Sequence, residues 1–300
     1  MFFRLKKRNL IGMKLTKYLL ALVCLINLAH PSNGQSLVDS SYFGNKPYEW
    51  DTLADGLLYC VVDAPKKSIL GDSKLTIVRI TPSKMDFSLV TATEYGRPRS
   101  VCEWADTFDF NVVLNAGMYE LSNGLINRGF MKNYGHHNNA LLRENYNSMI
   151  ALNAKDSSDY NFCIIDLKCD PWHTVKNDYH CYAQGLRMID CNGTGMGWNK
   201  RYQSCSMMVA ACDAYGNIYY IYSRSPYTHN EMIGFMVGMP YGLTNAIYIE
   251  GGPETSLYIR TGDRVIEKVG SYVSNTYATD NNMSFWALPN VIGMKLKKLR

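Results

Sequence analysis

The predicted fold is decided by the stretch Ile218–Leu257, which reads IYYIYSRSPYTHNEMIGFMVGMPYGLTNAIYIEGGPETSL. Its two apolar runs, Ile218–Tyr222 and Ala246–Ile249, are rich in Ile and Tyr, which suit the half-buried surface of a β-strand. Thr228 and Glu231 have the spacing of a capping box, so a helix is predicted to begin there. A Pro and a Gly before the second run end that helix. The stretch therefore predicts strand, helix and strand in succession.

Strand, helix and strand in succession indicate a βαβ crossover with two parallel strands. In such a unit the polar segments that follow the strands lie at one edge of the sheet, where open α/β sheets bind ligands. Ser223-Arg224-Ser225 follows the first strand, and the turn from Glu250 to Glu254 follows the second. We therefore predict that Arg224 meets the carboxyl groups of Glu250 and Glu254 at this edge.

The remainder of the chain predicts many short strands and few helices. Strands are predicted at Leu57–Ala64, Lys74–Thr81 and Met207–Cys212, and a short helix within Arg97–Thr107. The sequence contains no internal repeat and no low-complexity linker. The predicted fold class is therefore α+β, with a mixed, largely antiparallel β-sheet, a few flanking helices and one βαβ-like unit.

The first 34 residues predict an export signal. Lys14 and Lys17 precede an apolar run at 18–28, and a Ser-Asn-Gly tripeptide ending at residue 34 offers small residues before a cleavage site. The run is too short for a transmembrane helix. Cleavage would release a secreted or periplasmic chain with no transmembrane segment. A lipoprotein anchored at Cys24 is the alternative, but Val23 stands where such a signal needs a small residue.

The sequence predicts one domain, preceded by two segments and followed by one. We expect a signal peptide over 1–34, an irregular lead-in over 35–56, one domain over 57–290 and a basic tail over 291–300. The formal net charge is +5, but the first 34 residues hold six Lys or Arg and no Asp or Glu. The rest of the chain is therefore close to neutral and lacks the basic field that nucleic-acid binding requires.

The cysteines predict disulfide bonding rather than a metal site. Of the 9 cysteines, all but Cys24 lie beyond the predicted signal peptide, and no two have C-x-x-C spacing. A structural zinc site is therefore not predicted, and no cofactor is assigned. An even number of cysteines in an exported chain permits disulfides, and we predict at least one bridge within Cys163–Cys212.

Glu250 and Glu254 flank a Gly-Gly-Pro turn. Two carboxyl groups at one site can divide acid and base or nucleophile roles when their surroundings separate their pKa values, as glycoside cleavage requires. One of them could instead cap backbone N–H groups of the turn. A divalent cation bound by both carboxylates is a further alternative.

Arg224 is the candidate anion-binding residue in the opening stretch. A planar guanidinium can bind a phosphate through two hydrogen bonds, and the Ser225 hydroxyl can donate beside it. The N-terminus of the helix that follows adds partial positive charge. The alternative is a structural ion pair between Arg224 and Glu250 or Glu254.

The order of several segments resembles the phosphodiester glycosidase family. These segments are NAGMY at Asn115–Tyr119, a Gly-Leu pair at 124–125, QGLRMIDCNG from Gln184 and IEGGPETSLYI from Ile249. The resemblance covers about Leu57–Ile259 and implies a mixed α/β domain that hydrolyses a sugar-1-phosphodiester. The chain resembles the exported bacterial members of the family. It looks like a divergent branch, because Glu250 stands where the family has aspartate.

The resemblance also implies roles for individual residues. Asn115, Gly117 and Gln184 lie in the segments that match the family's motifs, and we expect Asn115, Arg128 and Gln184 to orient the sugar. Arg224 would supply a cation that the family often carries at the position of Met207. The predicted catalytic residues are Glu250, Arg224 and Glu254. The predicted substrate-binding residues are Asn115, Gly117, Arg128, Gln184, Ser225, Gly251 and Gly252.

The sequence therefore predicts an exported hydrolase that cleaves a sugar-1-phosphodiester. Its expected partner is a sugar phosphodiester or a phosphorylated glycan, and nucleic acid is not expected. The alternative, from another functional class, is a non-catalytic protein of the same fold that binds glycans or the cell envelope.

Overall fold

The computed structural model describes residues 48–120, 123–156, 161–199 and 203–297. The predicted signal peptide lies outside these residues, as does most of the predicted lead-in. The strands are β1 (Asp51–Ala54), β2 (Leu57–Asp63), β3 (Lys74–Ile80), β4 (Met85–Thr91), β5 (Val112–Asn115), β6 (Tyr119–Glu120), β7 (Asn123–Asn127), β8 (Met131–Asn133), β9 (His136–Asn139), β10 (Ser148–Ala154), β11 (Phe162–Asp166), β12 (Tyr179–Arg187), β13 (Ser204–Cys212), β14 (Ile218–Thr228), β15 (Thr244–Gly251), β16 (Ser256–Thr261), β17 (Arg264–Val269) and β18 (Asn290–Leu296). The α-helices are α1 (Ala92–Tyr95), α2 (Val101–Phe108), α3 (Trp172–Val175) and α4 (His229–Gly238).

Two β-sheets enclose the main hydrophobic core. In the described residues the larger sheet is 11-stranded, with the order β1-β2-β3-β14-β13-β15-β12-β10-β11 and with β8 and β9 attached to β12. The smaller sheet is 5-stranded, with the order β17-β16-β5-β18-β4. Buried side chains of both sheets meet in one cluster, among them Ile80, Ile249, Leu114 and Ile292. The fold is thus mostly antiparallel β-sheet with few helices, which agrees broadly with the predicted α+β class.

The stretch that decided the prediction forms a crossover around an intervening strand. Both β14 and β15 pair antiparallel with β13, so they run parallel to each other, as predicted, but β13 separates them. Met208 of β13 lies opposite both Tyr222 and Glu250, so these two residues lie at the same level of the sheet. Strand β15 ends one residue later, at Gly251, whereas β14 continues past its predicted end at Tyr222 to Thr228. The Thr228 Oγ1 accepts from the Glu231 N–H at 3.2 Å, and Glu231 Oε2 accepts from the Thr228 N–H at 2.8 Å. This confirms the predicted capping box.

Helix α4 is fixed against the outer face of the larger sheet by a second core cluster. Met232, Phe235 and Met236 of the helix pack there with Val209 and Tyr248 of the sheet. Fully burying a side chain of this size stabilises the fold by roughly 1.5–3 kcal/mol. The N-terminus of α4 is therefore held in a defined position beside the end of β15.

The segment predicted as a basic tail, 291–300, begins instead as strand β18. This strand lies between β5 and β4 in the smaller sheet, and Val291, Ile292 and Met294 are fully buried. The basic residues at 295–300 suggested a solvated tail, but the apolar residues before them form the strand. The predicted lead-in likewise contains strand β1, which pairs with β2 at the edge of the larger sheet.

A disulfide joins Cys169 to Cys191, within the range predicted to contain one. It ties the turn after β11 to the segment after β12. None of the helices in the described ranges has the length and apolar character needed to cross a bilayer.

Removing residues 290–300 is expected to prevent folding. The deletion takes the hydrogen-bonding partner of both β4 and β5 and the buried apolar side chains of β18, whose combined contribution rivals a typical stability of about 5–15 kcal/mol. Soluble yield and a circular dichroism melt measure the outcome. A chain that ends at Lys297 is the control and should melt like the full chain. A cooperatively folded chain ending at Pro289 would contradict the assigned role of β18.

Candidate active site

A cleft of about 870 Å³ opens where β15 ends and α4 begins. Its walls come from segments far apart in sequence, because the crossover brings the start of α4 beside the end of β15. The lining side chains relevant to chemistry are Tyr119, Arg128, Trp198, His229, Tyr248, Glu250 and Glu254. The cleft therefore combines two carboxyl groups, the guanidinium of Arg128 and several aromatic rings. Arg187 also lines the cleft, but its guanidinium pairs with Asp166.

Glu250 is the buried carboxyl group at the end of β15. Only 9% of the residue is exposed, and its Oε1 accepts from the Gly251 N–H at 3.0 Å. Burial raises its pKa to about 8, because a charged carboxylate loses its hydration there. The charge of Glu254 raises this pKa further, whereas the Gly251 N–H and the charge of Arg128 lower it. Glu250 is therefore mostly protonated at neutral pH.

Glu254 lies in the 3₁₀ turn Gly252–Glu254 that follows β15. Its Oε1 accepts from the Tyr119 hydroxyl at 3.1 Å. Burial raises the pKa of Glu254, and the Tyr119 hydrogen bond opposes that shift. The two carboxyl groups thus occupy different environments, which is the condition for separate acid and base roles.

Asn115 holds the Glu254 turn in place rather than facing the cleft. Its side chain is buried, Nδ2 donates to the Glu254 carbonyl at 2.9 Å, and Oδ1 accepts from the Ser256 N–H at 2.9 Å. Both polar ends of the amide are thus used by the main chain. Asn115 therefore positions the turn that carries Glu254 and does not take the sugar-orienting role that was implied for it.

Arg128 is the cation that the structure places near Glu250. It lines the same cleft, and its charge lowers the pKa of Glu250. The Arg128 Nε is buried without a hydrogen-bond partner and lies 3.9 Å from Glu120 Oε2. Arg143 pairs with Glu120 and donates to the Arg128 carbonyl, which braces this part of the wall.

Gln184 is a buried tie between the two segments that carry these arginines. Its Oε1 accepts from the N–H groups of Phe130 at 2.9 Å and Arg143 at 3.0 Å. Its Nε2 donates to the carbonyls of Arg143 at 2.8 Å and Tyr146 at 2.7 Å. Gln184 thus supports the wall of the cleft. Both polar atoms of its side chain already bind the main chain, so the side chain does not make the substrate contact that was predicted for it.

The predicted meeting of Arg224 with the two carboxyl groups is wrong. Its Nε pairs with Asp280 Oδ1 at 2.9 Å, and Nη1 donates to the Val269 carbonyl at 2.7 Å, in a separate cleft of about 580 Å³. Side chains two residues apart on a strand share a face. Arg224 therefore shares the face of Tyr222, which packs in the core between the sheets, whereas Glu250 follows Tyr248 on the α4 side.

Ser225 is also engaged away from the cleft. Its hydroxyl oxygen accepts from the Ser73 N–H at 2.8 Å and lies 3.3 Å from Asp72 Oδ1. The hydroxyl thus fastens β14 to the loop before β3. The expected assistance of Ser225 in anion binding is not supported by this position.

The predicted glycines are required by close packing. A Cβ on Gly251 would lie 2.2 Å from the Tyr248 hydroxyl and 2.8 Å from Cys205 Sγ. Gly252 has a φ of +76°, which favours glycine, and a Cβ on Gly117 would lie 2.9 Å from Asn127 Oδ1. Gly251 lines the cleft directly, and the other two shape the chain behind it.

The aromatic wall was not foreseen. Trp198 and His229 stack with ring centroids 4.0 Å apart and an interplanar angle of 16°, and Tyr248 contacts His229 at 4.7 Å. Burial lowers the pKa of His229 to about 4. The stack depends on the segment after β12 folding back onto α4, which no local pattern reveals.

Replacing Glu250 by Gln is expected to stabilise the protein at alkaline pH. The native pKa of about 8 exceeds the ordinary value of 4.5, so the native state gains from the bound proton and loses stability as pH rises between these values. The Glu250→Gln variant should match the wild type near pH 4 and exceed it at pH 9. Each tenfold difference in proton affinity between the folded and unfolded chain contributes about 1.4 kcal/mol to that gap.

Urea unfolding at the two pH values measures this difference in stability. Exposed Glu49→Gln is the control, because it removes a carboxyl group that lies in water, and it should follow the wild type at both pH values. Equal stability of Glu250→Gln and the wild type at pH 9 would contradict the burial argument.

Comparisons with known proteins identify the fold. No protein-family model matches the sequence, and no curated protein matches it. The catalytic domain of zebrafish N-acetylglucosamine-1-phosphodiester alpha-N-acetylglucosaminidase, auto-inhibited by its pro-peptide, superposes with a TM-score of 0.56 at 13% identity, over 89% of this chain and 96% of that one. A hypothetical protein from Synechocystis superposes with a TM-score of 0.53 at 13% identity, over 84% of this chain and 64% of that one. At this low identity the likeness concerns the fold alone.

Proposed function

We propose that this chain is an exported hydrolase that cleaves a sugar-1-phosphodiester in the cleft at the end of β15. The observation that carries the proposal is the pair of carboxyl groups in unequal surroundings, Glu250 and Glu254, beside the guanidinium of Arg128. The fold shared with the zebrafish N-acetylglucosaminidase domain supports the same reaction class.

Arg128 is the proposed phosphate-binding residue. Its buried Nε has no hydrogen-bond partner, and a phosphodiester oxygen would complete it with a charge-assisted hydrogen bond. A protonated Glu250 next to this position carries no charge that would repel the phosphate. The anionic substrate is thus compatible with a site that contains two carboxyl groups.

The carboxyl pair supplies the proposed acid and base. Glu250, protonated at neutral pH, donates its proton to the phosphate oxygen that leaves the sugar. Glu254, held by the Tyr119 hydroxyl, acts as the carboxylate that activates water or attacks C1. Cleavage of the bond between C1 and oxygen then yields a phosphate monoester and a free sugar, and water supplies the new hydroxyl at C1 and restores the Glu250 proton.

Export agrees with the disulfide chemistry of the chain. The Cys169–Cys191 bridge is the kind of bond that forms and persists in oxidising compartments. We therefore place the proposed reaction outside the cytoplasm, in the secreted or periplasmic space that the N-terminal sequence predicts.

Glu250→Gln is expected to lower kcat on its best substrate by about 10²–10⁴-fold with little change in KM, because it removes a general acid but keeps the shape of the site. The assay follows release of reducing sugar from methyl phosphodiesters of glucose, mannose and N-acetylglucosamine in both anomeric forms. Exposed Glu49→Gln is the matched control.

If the wild type still releases sugar in the presence of a chelator, the result supports acid–base chemistry. If the chelator abolishes sugar release, the result supports the alternative in which a divalent cation is bound. Retention of the phosphodiesters without any release by the wild type would favour the binding protein. Full turnover by Glu250→Gln would reject the proposed acid.

Substitution of the two candidate arginines separates the two candidate phosphate sites. Arg128→Ala should reduce kcat/KM by about 10–100-fold, the scale of a lost hydrogen bond between charged groups, and should leave the melting temperature nearly unchanged. Arg224→Ala should instead lower the melting temperature, because it leaves Asp280 without its partner, and should retain kcat/KM at temperatures where it is folded. The reverse pattern would restore Arg224 as the phosphate-binding residue. Exposed Arg264→Ala serves as the control for removal of a surface arginine.

A further inference from the structure

We infer that Trp198, His229 and Tyr248 form the subsite that holds the sugar ring, and that His229 selects a ring with a free hydroxyl group facing it. This inference rests on the proposed function and names the part of the substrate that the same cleft recognises. The three residues are hereafter the aromatic wall. They all line the cleft that contains Glu250 and Glu254.

The aromatic wall is a continuous set of ring contacts. The Trp198 indole stacks on the His229 imidazole at 4.0 Å, and the Tyr248 ring meets both of them edge-on, at 5.8 Å from Trp198 and 4.7 Å from His229. The C–H face of a pyranose packs well against such ring surfaces, because they are apolar and carry a negative π face. The wall thus offers the surface that a sugar ring prefers.

Trp198 is held rigidly by hydrogen bonds at three points. Its N–H donates to Asn230 Oδ1 at 2.9 Å, and its carbonyl accepts from Asn230 Nδ2 at 3.1 Å. Its indole N–H donates to the Arg187 carbonyl at 3.1 Å. Because these bonds already fix the ring, a ligand that stacks on it loses little affinity to ordering the side chain.

His229 contributes a polar group that the fold itself leaves without a partner. Its Nε2 is buried and makes no hydrogen bond within the described part of the protein. A buried polar atom without a partner is costly, and a ligand that supplies the missing bond recovers that cost. A sugar hydroxyl can both donate and accept, so it satisfies Nε2 in either tautomer of the neutral ring.

The position of the aromatic wall suits the sugar ring of the substrate better than the phosphate-bearing leaving group. Tyr248 precedes Glu250 by two residues in β15, so its ring lies on the same side of the sheet as that carboxyl group. A ring packed on the wall therefore has its reacting carbon on the side of Glu250 and Glu254. Arg128 remains available for the phosphate at the same cleft.

The test measures binding of methyl glycosides, which carry the sugar but no phosphate. Methyl glycosides of glucose, mannose and N-acetylglucosamine are titrated in both anomeric forms into the wild type, Trp198→Ala and His229→Phe, and saturation-transfer NMR gives the dissociation constants. Trp198→Ala should weaken the best glycoside by about tenfold or more, the scale of one lost stacking contact. His229→Phe keeps a stacking ring but lacks Nε2, so it should weaken binding by about tenfold, the scale of one hydrogen bond. Half-exposed Trp286→Ala, outside the cleft, is the control and should bind like the wild type.

Monodeoxy analogues of the best glycoside give the deciding comparison. One deoxy position should weaken binding to the wild type but not to His229→Phe, because only that hydroxyl pairs with Nε2. This comparison also stands if Trp198→Ala fails to fold. Unchanged affinity in His229→Phe for every analogue, or no binding of any glycoside, would overturn the inference. Glycoside binding that depends on the wall, without any sugar release from phosphodiesters, would support this inference and reject only the proposed reaction.

Discussion

The site depends on the burial of one carboxyl group at the end of a central strand. Glu250 stays out of water because Tyr248 and Cys205 pack closely around the chain at Gly251, where a side chain would collide with both. Desolvation then raises the pKa of Glu250 to about 8, and Glu254 nearby adds to that shift. A carboxyl group that stays protonated at neutral pH is therefore a consequence of packing at the sheet edge, and the chemistry proposed for the cleft follows from it.

The crossover supplies the other half of this arrangement. Strand β13 separates β14 from β15, so helix α4 must pass over β13 before the chain returns to the sheet. The capping box at Thr228 fixes where the helix begins, and His229 is its first residue. The helix start and the end of β15 are thereby held side by side, which brings His229 next to Tyr248. The aromatic wall and the carboxyl pair are two results of one chain path.

The sequence predicted those features that depend on residues close to one another in the chain. The capping box, the disulfide range and the carboxyl pair all depend on residues near one another in sequence, and the structure contains each of them. The predicted end of the first strand at Tyr222 is wrong, because the pairing of β14 with β13 continues to Thr228. The face on which Arg224 lies depended instead on the register of β14 against β13, which no local pattern reports. Strand β18 was missed because its apolar residues precede a basic run, and its burial depends on strands about 180–210 residues earlier in the chain. Trp198 was missed because its partner, His229, belongs to another segment.

The buried amides explain why the motif residues were assigned the wrong contacts. Asn115 and Gln184 lie in segments that resemble the phosphodiester glycosidase family, and such residues are readily interpreted as ligands of the substrate. In the structure each amide uses its donor and its acceptor on main-chain groups of distant segments, next to Glu254 for Asn115 and next to Arg128 for Gln184. An amide suits this task because it satisfies carbonyl and N–H groups at once. The two amides therefore hold the main chain around Glu254 and Arg128, which are among the residues proposed to contact the substrate.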